Sequence, residues 1–152
     1  MTRISQRQAR QLGIDTKGKK QVLNMPTWDA ATFPGGVWLQ IPFVPPSLNV
    51  WKNWHWSKQH KYKKELYQDV KNLAMALKLP RYNRATVQII YYHKTKRRRD
   101  PADNYAPKFL MDALVNGGIL MDDNGDLVNV EPVVMKIDKE KARTEIFIWE
   151  KK

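Results

Sequence analysis

The side chains best suited to chemistry lie in an acidic segment of an otherwise strongly basic chain. Residues 101–131 contain six Asp or Glu and one basic residue, Lys108, whereas the rest of the chain contains 26 Lys or Arg and nine Asp or Glu. Asp100 and Asp103 come just before a helical pattern, and Asp122-Asp123 follow it. Clustered carboxylates repel one another unless a cation neutralises them, and Mg²⁺ binds carboxylates together with phosphate oxygens. The segment therefore suggests a magnesium site in an enzyme that acts on a polyanion.

These acidic residues also have structural alternatives. Asp103 or Asn104 can cap the helix that follows, and residues 122–126 contain Asn-Gly, a strong signal for a turn. A calcium-binding EF-hand is a poor match, because the glycine and the distal acidic residue stand at the wrong positions. The spacing alone leaves the metal site and the cap-and-turn interpretation open as equal alternatives.

Lys108 has two interpretations as well. It precedes Asp112 by four residues, so the two can pair along one helix face, which stabilises a helix by about 0.3 kcal/mol. As the only base in the acidic segment, Lys108 can instead point toward the carboxylates and stabilise negative charge that develops on a phosphate.

Basic and aromatic side chains near the acidic residues favour nucleic acid as the partner. A run of four basic residues directly precedes Asp100, and guanidinium groups grip phosphates with paired hydrogen bonds. Residues 45–62 form a Pro-rich stretch that mixes three tryptophans with lysines, a combination that stacks on exposed bases while the cations follow the backbone. The alternative is that some of these tryptophans close the core. The predicted nucleic-acid contacts are Asn49, Lys52, Trp54, Lys61, Lys64, Lys96, Arg97, Arg98 and Arg99.

Composition narrows the class of protein. A length of 152 residues suits one domain, and a net charge of +12 with a pI near 9.9 predicts an acidic partner. No apolar run approaches the roughly 20 residues that span a bilayer, so nucleic acid is favoured over a membrane surface. The absence of cysteine excludes disulfides and thiolate zinc sites and makes a reducing cytoplasm the expected compartment. P-loop, dinucleotide-binding and Ser or Cys nucleophile motifs are missing.

The elements that must position these residues follow from periodicity. Residues 1–36 are broken by Gly and Pro and are interpreted as a basic N-terminal appendage, flexible or ordered only by a partner, with the domain proper at 37–152. Strands are predicted at 37–43 and 85–92, the second of them central. Strands at 127–137 and 143–149 are predicted to form a hairpin that turns at 138–141.

Two amphipathic helices complete the predicted domain. Ser57 is the expected N-cap of a long helix that ends before Pro80, and Gly117-Gly118 end the second helix. Their buried faces are predicted to consist of Tyr62, Leu66, Val70, Leu73 and Leu77 in the first and Phe109, Leu110, Ala113 and Leu114 in the second. The order β-α-β-α-β-β predicts a two-layer α/β (α+β) domain with helices packed on a mixed sheet.

Several of these residues together form the pattern of a known family. They are Arg97-Arg98-Arg99-Asp100, Asp103-Asn104, Lys108, Asp112-Ala113-Leu114, Gly117-Gly118 and Asp122-Asp123, with Pro45-Pro46-Ser47 and Asn49 upstream. Over residues 37–150 the chain resembles the RusA-type Holliday-junction resolvases, which are small endonucleases of DNA recombination and repair common in phages and prophages.

The resemblance implies a homodimer with one Mg²⁺-dependent site per subunit, in which Mn²⁺ can substitute. Paired sites would make symmetric nicks across a four-way DNA junction. By position, the metal-binding and catalytic aspartates would be Asp100, Asp103 and Asp123, and the catalytic lysine would be Lys108. The chain departs from the best-known form of the family at Pro101-Ala102, where that form has a single residue between the first two aspartates. The step from Asp103 to Lys108 is also one residue longer.

Two other functions compete with this one. A non-catalytic basic nucleic-acid-binding module would use its acidic residues only as turns and caps. A scaffold or packaging-type protein would use residues 1–36 to engage a partner.

Overall fold

The computed structural model of the chain describes residues 27–95, 108–122 and 124–151. The elements in these residues are, in order, β1 (Asp29–Phe33), β2 (Gly36–Ile41), α1 (Leu48–Trp51), α2 (Trp56–Leu77), β3 (Ala85–His93), α3 (Lys108–Asn116), β4 (Val128–Val130), β5 (Val134–Ile137) and β6 (Arg143–Glu150). Within this described part of the chain, none of the helices has the length and apolar character needed to cross a membrane.

The strands form one mixed sheet with β3 at its centre. The strand order is β1-β2-β6-β3-β4, and β5 also pairs with β3. β3 runs antiparallel to β6 and parallel to both β4 and β5. Its β-branched and aromatic residues suit this position, because they pack well on a pleated surface with neighbours on both sides. The predicted central strand and the predicted class, helices packed on a mixed sheet, are both confirmed.

The core lies between the sheet and the two long helices. On the sheet side it is formed by alternate residues of β2, β3 and β6, such as Leu39, Ile89 and Ile146, each at most 2% exposed. The helices add Leu66, Val70, Leu73 and Ala74 from α2 and Phe109, Leu110, Met111, Ala113 and Leu114 from α3. Burying one such large apolar side chain stabilises the fold by about 1.5–3 kcal/mol. The predicted stripes are thus confirmed at their centres, while Tyr62 and Leu77 are only partly buried.

Helices α2 and α3 lie side by side and run in the same direction. Burial, and to a smaller extent the charge of Asp112 on α3, raises the pKa of the Tyr67 phenol on α2. Further along both helices, a Cβ placed on Gly117 would be 2.6 Å from Cγ1 of Val70. Glycine just past the end of α3 therefore allows the two helices to approach closely.

The folded domain begins earlier than the predicted boundary at Val37. β1 pairs with β2 in a hairpin, and Ala30 is completely buried. Gly35, with a φ of 84°, makes the tight turn between the two strands after Pro34. The Pro and Gly residues here mark a turn inside the domain, not the end of an appendage. Residues 1–26 of the predicted appendage lie outside the described residues.

The predicted C-terminal hairpin is wrong. Residues 127–137 contain two short strands, β4 and β5, separated by a stretch with Pro132, which has no N–H to donate to a ladder. β5 pairs with β3 and not with β6, so β3 lies between them. The turn at 138–141 does form, because Oδ1 of Asp138 accepts from the amides of Glu140 and Lys141 at 3.0 and 3.2 Å. It leads the chain across the end of β3, where the amide of Asp138 donates to the carbonyl of His93.

Candidate functional site

The Pro-rich stretch before α2 forms a short helix that brings Trp51 onto the core. Oγ of Ser47 caps α1 by accepting from the amide of Val50 at 3.3 Å. The half-buried ring of Trp51 then packs against Phe109, with ring centroids 4.3 Å apart. Trp51 therefore has the core-closing role that was the alternative to base stacking. Its contact joins α1 to the first turn of α3.

Trp54 belongs to the same aromatic cluster. Its ring centroid lies 5.5 Å from that of Trp51 and 5.6 Å from that of Tyr62. Nζ of Lys58 sits 4.0 Å from its ring centroid, in a cation–π contact. The hydroxyl of Tyr62 is buried here with no hydrogen-bond partner among the described residues, and burial raises the pKa of its phenol well above the usual value. Protein groups thus already contact the partly exposed ring of Trp54, which was predicted to contact nucleic acid.

Helix α2 begins at Trp56 and is capped by a histidine. Nδ1 of His55 accepts from the amide of Ser57 at 3.2 Å and lies 2.8 Å from Oγ of Ser57. The predicted N-cap, Ser57, is therefore wrong, because His55 satisfies the free amide of the first turn before Ser57 can act as a cap. Trp56 is 73% exposed, and its ring centroid is 5.5 Å from that of His55.

The surface around this helix start is strongly basic. Residues 45–64 contain five lysines and no Asp or Glu. Lys52 is the exposed C-cap of α1, and Lys61 and Lys64 are exposed on α2, as predicted. The first turn of α2 contains no acidic residue to offset the partial positive charge of a helix N-terminus. Asn49 is exposed on α1, and its carbonyl accepts from the side chain of Asn53. We call residues 49–64 the aromatic-basic surface.

Lys108 lies at the start of α3, one residue before the ring that contacts this surface. Its side chain is exposed, and no carboxylate among the described residues is within ion-pair distance of it. The alternative of a Lys108–Asp112 pair is not formed. Asp112 is partly buried beside Tyr67, while its carbonyl accepts from the side chain of Asn116 at 2.8 Å.

The predicted metal ligands Asp100, Asp103 and Asp123 lie outside the described residues. So do Lys96, Arg97, Arg98 and Arg99. Within residues 27–95, 108–122 and 124–151, no three His, Asp or Glu side chains are grouped so that they could hold a metal ion.

Residues 124–126 form the turn predicted for them. Oδ1 of Asn124 accepts from the amide of Asp126 at 2.9 Å. The carbonyl of Asn124 accepts from the amides of Leu127 and Val128 at 2.9 and 2.8 Å. These contacts start β4 and agree with the structural role expected for Asn124, Gly125 and Asp126.

The acidic residue that follows α3 lies near the start of β3. The chain turns at Gly118, and the amide of Tyr82 donates to the carbonyl of Ile119 at 2.8 Å. Asp122 therefore neighbours the residues that lead into β3, whereas the segment with Asp100 leaves from the other end of the strand. A strand of nine residues spans about 30 Å.

The described part of the site thus consists of a basic, aromatic surface joined by one ring contact to the helix that begins with Lys108. Such a surface suits a polyanion with exposed bases. A scan against protein-family models found no match for this chain, and a search of curated proteins found no significant match.

Proposed function

We propose that this protein is a metal-dependent, structure-selective endonuclease that cleaves four-way DNA junctions. The observation that carries the proposal is the 4.3 Å contact between Trp51 and Phe109. It couples the aromatic-basic surface to the start of α3, so DNA held on that surface would pass close to Lys108. The RusA-like pattern of residues 97–123 supplies the chemistry expected at that point.

In the proposed reaction, water attacks phosphorus in line, the bond from phosphorus to the leaving oxygen breaks, the attacking water loses a proton to solvent, and the leaving oxygen takes one from solvent. Asp100, Asp103 and Asp123 offer the hard oxygen donors that Mg²⁺ prefers, with Mn²⁺ as a substitute. The ion, when bound, would polarise the scissile phosphate and help to deprotonate the water. The ammonium group of Lys108 would offset the charge that builds up on the phosphate oxygens.

The remaining basic residues would hold the DNA. The guanidinium groups of Arg97, Arg98 and Arg99, with Lys96, would grip phosphates beside the carboxylates. Lys52, Lys61 and Lys64 would follow the backbone across the aromatic-basic surface. A homodimer would supply two such sites for paired nicks. A cysteine-free chain is compatible with action in the cytoplasm.

The decisive experiment incubates the protein with a labelled four-way junction, with and without Mg²⁺, beside duplex and flap controls. Cleavage of the junction that requires Mg²⁺ or Mn²⁺ and spares the duplex is the expected result. Asp103→Asn is expected to abolish cleavage while junction binding stays intact, because the charge of one metal ligand is lost. Asp126→Asn, which lies in the turn, is the matched control and should cleave normally. Full cleavage by Asp103→Asn in Mg²⁺ would refute the assignment.

A second candidate function is a non-catalytic nucleic-acid-binding module. The turn at 124–126 favours it, since that part of the acidic segment is explained by structure alone. This function predicts binding that weakens steeply with salt and needs no metal. The same experiment separates the two functions, because a binding module would retain the junction without cutting it.

A further inference from the structure

Trp56 is the most exposed large hydrophobic residue in the described part of the chain. Its side chain is 73% exposed, compared with 67% for Met75 and 40% for Trp149. An indole this exposed is available to a partner outside the folded domain. The surrounding residues indicate what kind of partner that is.

The neighbouring tryptophans are less available to a ligand, because both are only partly exposed. Trp51 is packed against Phe109 and Tyr62, and Trp54 contacts Lys58, Trp51 and Tyr62. Trp56 has His55 as its ring neighbour, with the two planes tilted by 37°. The rings of Trp51 and Trp54 therefore form the aromatic cluster, and the ring of Trp56 projects from it.

Trp56 stands at a capped helix start. It is the first residue of a helix of 22 residues, and the amide of Ser57 is tied down by the imidazole of His55 at 3.2 Å. A rigid aromatic side chain binds with a small loss of conformational entropy, because only two side-chain torsions need to be fixed. A side chain at this position is therefore suited to stacking on a flat group.

The charge around Trp56 selects an anionic ligand. Five lysines and no carboxylates occupy residues 45–64, and exposed Lys52 and Lys61 lie on either side of Trp56 in the sequence. Phosphates would be attracted to these cations, while an aromatic ring beside them would take a flat, apolar group. A nucleotide whose base is not paired supplies both.

We propose that the indole of Trp56 is a stacking site for one nucleobase that loses its pairing partner when the branch point of a bound DNA junction opens. The proposal rests on the proposed function for the identity of the DNA. It adds which part of that DNA Trp56 would contact. Fully paired duplex would meet only the lysines. Stacking on Trp56 would therefore favour branched over linear DNA.

The test measures binding without cleavage, in EDTA, by the fluorescence anisotropy of two labelled single strands. One is an oligothymidylate, and the other is an abasic strand with the same number of phosphates. The wild-type protein is expected to prefer the strand with bases by roughly tenfold, the effect of one stacked base. Trp56→Ala should lose this preference and keep its affinity for the abasic strand, and Trp56→Phe should retain most of it.

Two variants serve as matched controls. Lys61→Ala should weaken binding of both strands by the same factor, since it removes charge alone. Met75→Ala, an exposed apolar residue on the same helix, should change neither affinity.

Three results would overturn the stacking site. They are equal binding of both strands by the wild-type protein, an undiminished preference in Trp56→Ala, and a lower molar mass of Trp56→Ala in light scattering, which would make Trp56 a contact between copies. Because the binding test uses no metal, a preserved preference combined with no junction cleavage in Mg²⁺ would refute only the proposed nuclease function.

Discussion

Lys108 is the residue at which the proposed binding and the proposed chemistry meet. It begins α3, its side chain is exposed, and it forms no ion pair with the described carboxylates. A lysine that stabilised the helix through Asp112 would add only about 0.3 kcal/mol. A lysine aimed at a phosphate in a dry site can stabilise the transition state by several times that amount. The two roles are therefore distinguishable by the size of the effect.

We expect Lys108→Ala to lower the rate of junction cleavage by about 10²- to 10³-fold, because one charge-stabilising group is lost from the transition state. Junction affinity should change little, since many cations contribute to binding. Single-turnover cleavage rates and filter binding with the same junction measure both effects. Lys71→Ala, which removes an equal charge from an exposed position on α2, is the control and should cleave normally. Equal losses in rate and affinity would assign Lys108 to binding alone.

At the scale of elements, α3 carries Lys108 at its start and packs closely against α2 near its end. The two helices run in parallel, and a Cβ placed on Gly117 would lie 2.6 Å from Cγ1 of Val70. A larger residue at Gly117 would push α3 away from α2. Since Phe109 at the other end of α3 contacts Trp51, such a shift would also disturb the aromatic-basic surface.

Gly117→Ala is expected to destabilise the protein by about 1–3 kcal/mol, the usual cost of overpacking a core. Its Cβ would lie 2.6 Å from Cγ1 of Val70 and 2.9 Å from the carbonyl oxygen of Ala113. Urea denaturation gives the free energy of unfolding. Gly125→Ala is the matched control, since a Cβ there meets nothing within 4 Å, and it should change stability by less than about 0.5 kcal/mol. Equal stability of the two variants would show that the helices can separate without cost.

At the scale of the whole molecule, the position of β1 changes how the N-terminal region should be tested. β1 pairs with β2 and contributes fully buried Ala30 to the core. The carbonyl of Thr27 accepts from the side chain of Gln40 at 2.8 Å, so the ordered contacts reach back to that residue. Removing residues 1–36 would delete a strand, whereas removing residues 1–26 would leave the sheet whole.

We expect the protein without residues 1–26 to keep its melting temperature and its junction cleavage. The protein without residues 1–36 should unfold at a lower temperature, because Ala30 and the pairing partner of β2 are lost. Thermal melts and cleavage assays on both truncations check this. A folded protein that lacks residues 1–26 and no longer cuts junctions would mean that the N-terminal region takes part in cleavage.

Local patterns predicted the parts of this fold that are buried on one face. The stripe of Leu66, Val70 and Leu73 and the apolar run of β3 are set by burial, which imposes a helical or alternating period on the sequence. Pairing between distant strands imposes no such period on the sequence. The turn at 138–141 is a genuine turn, yet β5 pairs with β3, because parallel pairing depends on the route of the chain across the sheet.

The candidate site was predictable to a similar degree. Lys52 was expected in the Pro-rich stretch before the helix, whereas the positions of Lys61 and Lys64 on an exposed surface follow from the helical period. Which of the three tryptophans is exposed does not, because the ring that buries Trp51 is Phe109, more than fifty residues away along the chain. The sequence did not predict His55 as the cap, because serine is a more usual N-cap residue than histidine.

The ring contacts of Trp51 have an optical consequence. Trp54, Tyr62 and Phe109 lie with ring centroids 4.3–5.6 Å from that of Trp51, in fixed and asymmetric orientations. Rings held in this way contribute to near-ultraviolet circular dichroism, a signal that disappears when tertiary packing becomes fluid. The contact between Trp51 and Phe109 thus places a natural chromophore where the aromatic-basic surface meets α3. Any movement of α3 that accompanies the proposed DNA binding would change this signal without an added label.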